Sequence, residues 1–342
     1  MRFCERCLLS DNMPSVRMDN GGLCNYCSAD SGCAAGNEGG EHDADEFATL
    51  LEGYRDREYQ VVMAYSGGKD STYTLKLIKE RYKASILAVT FNNGFLSSSS
   101  IMNINRVTDY LGVDSIIVKY PDDKMMEAFR FAEDGQIFPR TSLERASAIC
   151  NMCIMLIKNM VYREAIIRNI PIICFGWTPG QVGAGKPLIK LSYRMVSRVF
   201  ENTRKSIAEK FGSGYDKYFI NEDFMRANEE RMPYLYYPFV KNAYNEDAIL
   251  DEIMAIGWEL PGNTDGNSSN CLLNSYANQN HMDRFGFHPY AFEISNMVRS
   301  GYMTREEGMK KLGKVRNDTT YEQVKSRFQK AGGQNGNVGG TL

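Results

Sequence analysis

Histidine is scarce in this chain. Only His42, His281 and His288 occur among 342 residues, too few and too scattered for a histidine-based acid/base scheme; His281 and His288 are read as surface or packing groups. An excess of charge of one sign is lacking as well: 40 Lys and Arg stand against 42 Asp and Glu, a formal net charge of −2. This excludes a protein whose affinity comes mainly from a strongly basic surface, because neutralising phosphates needs many cations on one face. A local basic patch is still allowed, and Arg2, Arg6 and Arg17 lie together near the N-terminus. No run of about 18 apolar residues occurs. The most apolar region, residues 149–177, is broken by Lys158, Arg163, Glu164 and Arg168, so no membrane span is expected. The opening residues lack the apolar stretch of a secretory signal, so a cytoplasmic location with reduced thiols is expected. Cysteine, by contrast, is plentiful. Nine cysteines in a reducing compartment call for a metal.

Residues 34–46 are rich in Gly and acids and read as a linker. Beyond them, short apolar runs alternate with amphipathic segments. Residues 61–65, 86–91, 115–118 and 170–175 read as strands; 72–82, 101–111, 123–132 and about 150–168 read as helices. On the first helix Leu75, Ile78 and Tyr82 share a face. Strands separated by helices predict an α/β fold with a doubly wound parallel sheet. The signal weakens over residues 188–237, where Tyr234, Tyr236 and Tyr237 read as core or interface packing. The expected division is a four-cysteine module over 1–33, linker and helix over 34–55, a nucleotide-binding domain over 56–187, a mainly helical substrate or interaction region over 188–331, and a disordered tail over 332–342.

Cys4-x-x-Cys7, then sixteen residues, then Cys24-x-x-Cys27 is the two-knuckle spacing of a four-thiolate, tetrahedral zinc site. Such a closed site has no open coordination position, which points to a structural or docking role. Cys33, just outside it, is given none.

Ser66-Gly67-Gly68-Lys69-Asp70-Ser71 follows the first predicted strand and precedes the first helix. Two glycines let the backbone turn so that amides and a helix N-terminus face an anion, with hydroxyls from Ser66 and Ser71 and a charge from Lys69. The spacing is not that of a Walker A loop. It resembles the loop of the PP-loop ATP pyrophosphatases, a superfamily of the adenine nucleotide alpha hydrolase-like fold, which cleave ATP between its α and β phosphates and transfer AMP to a carbonyl-type oxygen. The resemblance implies that Ser66, Gly67, Gly68, Lys69, Asp70 and Ser71 bind ATP, with Mg2+ shared between the phosphates and Asp70. It also implies adenine near Ala88, Thr90 and Phe91, and a further loop at Gly176 and Thr178. Residues 180–185 read as a lid or, through Lys186, a phosphate contact. Converting a carbonyl oxygen to an AMP ester turns it into a leaving group, and the open question is which nucleophile displaces it.

Cys150-Asn-Met-Cys153 opens a helix on which Ile149, Cys153, Leu156 and Met160 recur. Two thiols one turn apart can grip a metal centre, form a redox pair, or simply pack as small apolar groups. Cys271 lies in a polar stretch where burial is less natural, whereas Cys174 has a strand-like core context. A PP-loop, a central Cys-x-x-Cys and one later cysteine are similar to the tRNA thiolases. There three cysteines hold an iron–sulfur cluster, and the iron lacking a protein thiolate takes sulfide. That resemblance implies Cys150, Cys153 and Cys271 as ligands of a 4Fe–4S cluster. Cys271 falls farther downstream than in that pattern, and no second C-terminal zinc module is present.

The two ends of the chain, residues 4–14 with 22–27 and residues 285–288 with 299–307, resemble N-acetyl sugar amidotransferases. Those enzymes displace AMP with ammonia from a separate glutaminase, giving an acetamidine; the central cysteines lie outside their pattern. Locally, Thr304 and Glu307 read as a capping box. Three functions are open: an adenylating transferase that replaces oxygen with sulfur, one that uses ammonia on an N-acetyl sugar, and a non-catalytic nucleotide-binding module, against which Lys69 and Asp70 count. The net charge favours a small-molecule or sugar substrate over tRNA. The partners expected are a sulfur donor or a separate glutaminase, and a second copy of the chain as a homodimer.

Overall fold

Four-residue apolar runs such as Val61–Ala64 and Ile172–Phe175 are too short and too apolar for surface helices. They form the centre of a six-stranded sheet in a computed structural model that describes residues 1–29, 40–182, 185–240, 242–265, 267–313 and 316–333. Cys33, residues 34–39 of the predicted linker and residues 334–342 of the predicted tail lie outside the described residues, whereas 40–46, read as linker, open the helix Gly40–Glu52. The strands are β1 (Val61–Ala64), β2 (Ile86–Asn92), β3 (Asp114–Lys119), β4 (Ile172–Phe175), β5 (Leu188–Lys190) and β6 (Tyr234–Tyr236). Their order is β3-β2-β1-β4-β6-β5, with every pair parallel except β5 against β6.

Because side chains alternate across a strand, each sheet face has its own core. Val62, Leu87, Val89 and Phe91 pack against Met152, Leu156 and Met160 of helix Ala148–Ile167. On the opposite face Val61, Met63, Tyr65 and Ala88 meet Leu75 and Ile78 of helix Lys69–Tyr82, Ile104 and Val107 of helix Ser98–Leu111, and Trp258.

The doubly wound sheet is as expected, and the C-terminal region is mainly helical. Two features were not legible. The strands β5 and β6 come from the region of weak signal, and the tyrosine run supplies β6. Helix Lys69–Tyr82 begins three residues before the expected 72, so Lys69, Asp70 and Ser71 lie in its first turn. Among the described residues no helix is long and apolar enough to cross a membrane.

The chain runs outward through β1, β2 and β3, then returns to place β4 on the other side of β1. That reversal opens a crevice beyond the C-terminal ends of β1 and β4, where doubly wound sheets bind ligands. The Ser66–Ser71 loop follows β1 into this crevice, and Gly176 and Thr178 follow β4.

Candidate active site at the sheet switch point

Gly67 has φ +71°, and a Cβ there would lie 2.7 Å from the Ser100 carbonyl oxygen, so this turn requires glycine. The loop is pinned from below by the Trp258 indole, whose Nε1–H donates to Gly67 O at 2.9 Å. Ser66 Oγ and Ser71 Oγ lie 3.0 Å apart, and Gly68 N donates to Ser66 Oγ at 3.3 Å. Thus hydroxyls, amides and the N-terminal turn of helix Lys69–Tyr82 converge, as an anion site needs. Gly176 closes the other side: its Cβ would fall 2.4 Å from Ser71 Cα.

The loop borders a cavity of about 330 Å³. Lys69 Nζ donates to Asp70 Oδ1 at 2.7 Å and to Tyr244 OH at 2.6 Å, while Tyr244 OH lies 2.8 Å from the same Asp70 oxygen. Burial, then the Asp70 charge, pushes the Tyr244 phenol far above its ordinary value, so it stays a neutral donor,. Across the cavity, Thr178 Oγ1 donates to Glu293 Oε1 at 2.7 Å. Burial raises the Glu293 carboxyl to about 7 against a lowering by Thr178. A carboxyl poised there can hold or release a proton near neutrality.

The second cysteine set adjoins this cavity. Ser269 Oγ accepts from Lys69 N at 2.9 Å, and two residues later comes Cys271. Its backbone bridges Leu96, just past β2. Asn93 Nδ2 points at both Cys153 Sγ (3.4 Å) and Cys271 Sγ (3.6 Å), its Oδ1 held by Phe95 N at 2.9 Å. Cys150 and Cys153 lie on the first turns of helix Ala148–Ile167, where Ser147 Oγ caps Cys150 N at 3.1 Å. Asn274, whose side chain works against the effect of burial on the Cys150 thiol, donates to Tyr290 OH at 2.9 Å, and Tyr290 lines the cavity. Burial pushes the thiols up, Cys150 to about 12, so unaided they are poor nucleophiles. The three partly buried sulfurs are therefore gathered beside the phosphate loop.

At the N-terminus, Cys4, Cys7, Cys24 and Cys27 are buried with all four Sγ atoms within 4.8 Å of one another. This fits a single tetrahedral ion. Burial raises the Cys4 thiol, but amides of Cys7, Cys24 and Arg6 outweigh it and bring it down to about 7, while burial and the neighbouring sulfurs push Cys24 and Cys27 up. Among the described residues no second group of three or more ligand atoms is drawn so close; Cys150, Cys153 and Cys271 are spread wider than one ion needs.

Several assigned positions lie elsewhere. Ala88 and Thr90 are fully buried inside β2, and Thr90 Oγ1 donates to Tyr65 O at 2.7 Å. Phe91 packs on Tyr120. The adenine assignment to these three is corrected: their side chains belong to the core, and within β2 only its last residue, Asn92, is partly exposed. Gly180 is clamped, its Cβ position 2.4 Å from Glu293 O and its carbonyl accepting from Asn296 Nδ2 at 2.7 Å, so it is not part of a loose lid; residues 183 and 184 lie outside the described residues. Lys186 is exposed and does not line the cavity. Cys174 is sealed in β4. His281 packs between Phe285 and Phe287, and burial lowers it to about 4.

Asn93, Tyr244, Ser269, Asn274 and Glu293 were missed. Only Glu293 left a signal: a lone acid in the otherwise apolar stretch Tyr290-Ala-Phe-Glu-Ile.

The site and sheet define a doubly wound α/β protein with an anion-binding loop at its switch point, three thiols beside it and a four-cysteine centre. No family model matches the chain. The uncharacterized protein MJ1599 of Methanocaldococcus jannaschii is 24% identical over 271 residues, covering 79% of this chain and 78% of that one. Among solved structures, the U34-tRNA thiolase NcsA from Methanococcus maripaludis with its 4Fe–4S cluster aligns over 95% of this chain and 88% of its own, at 15% identity and a TM-score of 0.36. The NH3-dependent NAD synthetase of Campylobacter jejuni aligns over 55% and 91%, at 13% identity and a TM-score of 0.31. Scores this low add nothing to the site, which is read from its own geometry.

Proposed function

We propose that this chain is an ATP-dependent transferase that adenylates a carbonyl-type oxygen and replaces it with sulfur at Cys150, Cys153 and Cys271. One observation carries the reading: segment 268–271 bonds the phosphate loop at Lys69 N and delivers Cys271 to Asn93 and Cys153. Activation and sulfur delivery would thereby share one crevice.

In this scheme the substrate oxygen attacks the α-phosphorus of ATP and pyrophosphate leaves. Lys69, the hydroxyls of Ser66 and Ser71 and the helix N-terminus stabilise the charge on the departing phosphates, with Asp70 available to Mg2+. The nucleophile then adds to the activated carbon and AMP departs with the former carbonyl oxygen. A cluster bound by three thiolates would supply an iron free to carry sulfide, and thiols spread wider than one ion needs, each binding a different iron, suit it. The four-thiolate N-terminal site is assigned to structural zinc.

Ammonia on an N-acetyl sugar is the second reading, favoured by a different observation. The terminal segments that resemble the amidotransferases fold into one unit: Arg305 donates to the carbonyls of Cys4 and Cys7, and Asn12 Nδ2 to Gly286 O at 2.6 Å. Glu293, with its carboxyl near 7, would then take the proton that an attacking amine sheds.

Anaerobically purified protein separates the two. Sulfur transfer predicts iron and acid-labile sulfide, lost in Cys150→Ala together with product formation but not with ATP binding. Iron-free protein with full activity overturns it.

A further inference from the structure

Helix Ala291–Arg299 separates the four-cysteine centre from the cavity and serves both. Tyr290, Glu293, Ile294 and Met297 line the cavity. On the other face Phe292 meets the Tyr26 ring edge-on at 5.2 Å, Ser295 Oγ accepts from Leu8 N at 3.2 Å, and Arg299 Nη1 donates to Cys7 Sγ at 3.4 Å. Arg305, opening the next helix, donates to Cys7 O and Cys4 O, each at 3.3 Å. A second strut runs from the same module to the other thiols. Ser15 N and Oγ both bond the buried Glu144 carboxylate at 2.6 Å, just before Ser147, the cap of the Cys150 turn.

We infer that the metal centre is the fixed point that aligns the cavity wall and the Cys150 turn, with Arg299 and Arg305 as positioning residues that transmit its occupancy. A metal ringed by four thiolates carries net negative charge. Arg299 offsets it at sulfur and Arg305 binds both carbonyls of the first knuckle, through charge-assisted bonds of fixed fork geometry. Without the metal nothing ties the first knuckle to the second, the knuckle loosens, and Leu8 and Ser15 lose the places from which they hold the two helices.

The inference rests on the proposed binding of ATP in the crevice. Its test uses full-length protein, metal content by mass spectrometry, Mg-ATP affinity by calorimetry, and fluorescence of Trp258, which is bonded to Gly67 O, read in a Trp177→Phe background because Trp177 is the other tryptophan of the chain. Arg305→Met should keep its metal yet bind Mg-ATP at least about tenfold more weakly, the order expected for losing charge-assisted bonds. Chelation of the wild type should give the same loss, reversed by zinc. For the second strut, Glu144→Gln should speed alkylation of Cys150 by iodoacetamide while leaving the metal bound. Unchanged affinity in folded Arg305→Met or metal-free protein overturns the coupling, as does unchanged alkylation if Arg305→Met fails to fold. A wild type that binds no Mg-ATP, with Trp258 emission in the Trp177→Phe background that still tracks metal occupancy, overturns the proposed function and keeps the coupling.

Discussion

A methyl group at position 176 has no room, because the Ser71 backbone already lies 2.4 Å from where it would sit. Gly176→Ala should therefore push the β4 loop off the phosphate loop, costing roughly 1–3 kcal/mol of stability and abolishing substrate-dependent pyrophosphate release; a urea titration and a pyrophosphate assay check both parts. Lys69 is a different case, a cation already committed to Asp70 and Tyr244. Lys69→Met should lower the melting temperature, because it leaves the half-buried Asp70 carboxylate without its cation,, and should suppress pyrophosphate release.

Glu293 makes a prediction with a sign. Burial raises its carboxyl from 4.5 to about 7, so the folded state binds more protons than the unfolded one between those values. The stability this contributes is full below 4.5 and is lost as pH rises through about 7. Glu293→Gln should remove that dependence. Relative to wild type, its urea midpoint should improve between about pH 5 and about pH 8; parallel midpoints across that range would contradict the assignment.

Among the elements, the start of helix Arg305–Leu312 was read from its own residues. Thr304 accepts from Glu307 N while Glu307 reaches back to Thr304 N, a reciprocal cap. Thr304→Ala should cost about 1 kcal/mol by urea unfolding, and should loosen Arg305, which begins that helix. Helices and strands over 61–175 were similarly legible, because buried parallel strands are continuous apolar runs and their connecting helices carry a 3.6-residue stripe. The strands β5 and β6 were not. Three residues hold too little periodicity to declare a strand, and only their pairing with each other and with β4 makes them one. The start of helix Lys69–Tyr82 was misplaced for a related reason: Lys69, Asp70 and Ser71 are polar because they face the crevice, so the apolar stripe begins a turn late.

For the molecule as a whole, the four-cysteine cluster and the fold are linked. Cys24→Ser should release the bound metal and lower the thermal midpoint, since the centre packs with Phe287, Ala291 and Phe292 in one cluster and so anchors the N-terminus to the C-terminal helices. Metal analysis with calorimetric melting checks this. The adenine assignment failed at the same scale. Position along β2 was legible, but burial was not: whether Ala88 faces a ligand or a helix depends on what packs over the sheet, and Leu75, Ile78 and Trp258 fill that face.

By itself the sequence determined the features that local spacing controls: the two-knuckle cysteines, the turn at Gly67 and Gly68, the alternation that builds a doubly wound sheet, and the Thr304 cap. Each is written in residues near one another in the chain, the two cysteine knuckles being only sixteen residues apart, so local spacing suffices to declare it. Tertiary structure alone decided the features that depend on residues far apart. It brought Ser269 to Lys69, Asn93 between Cys153 and Cys271, Glu293 across from Asp70, and Arg305 onto the cysteine knuckle. Those contacts arise where the order of the strands reverses and where the terminal helices fold back over the crevice, and no local periodicity encodes them.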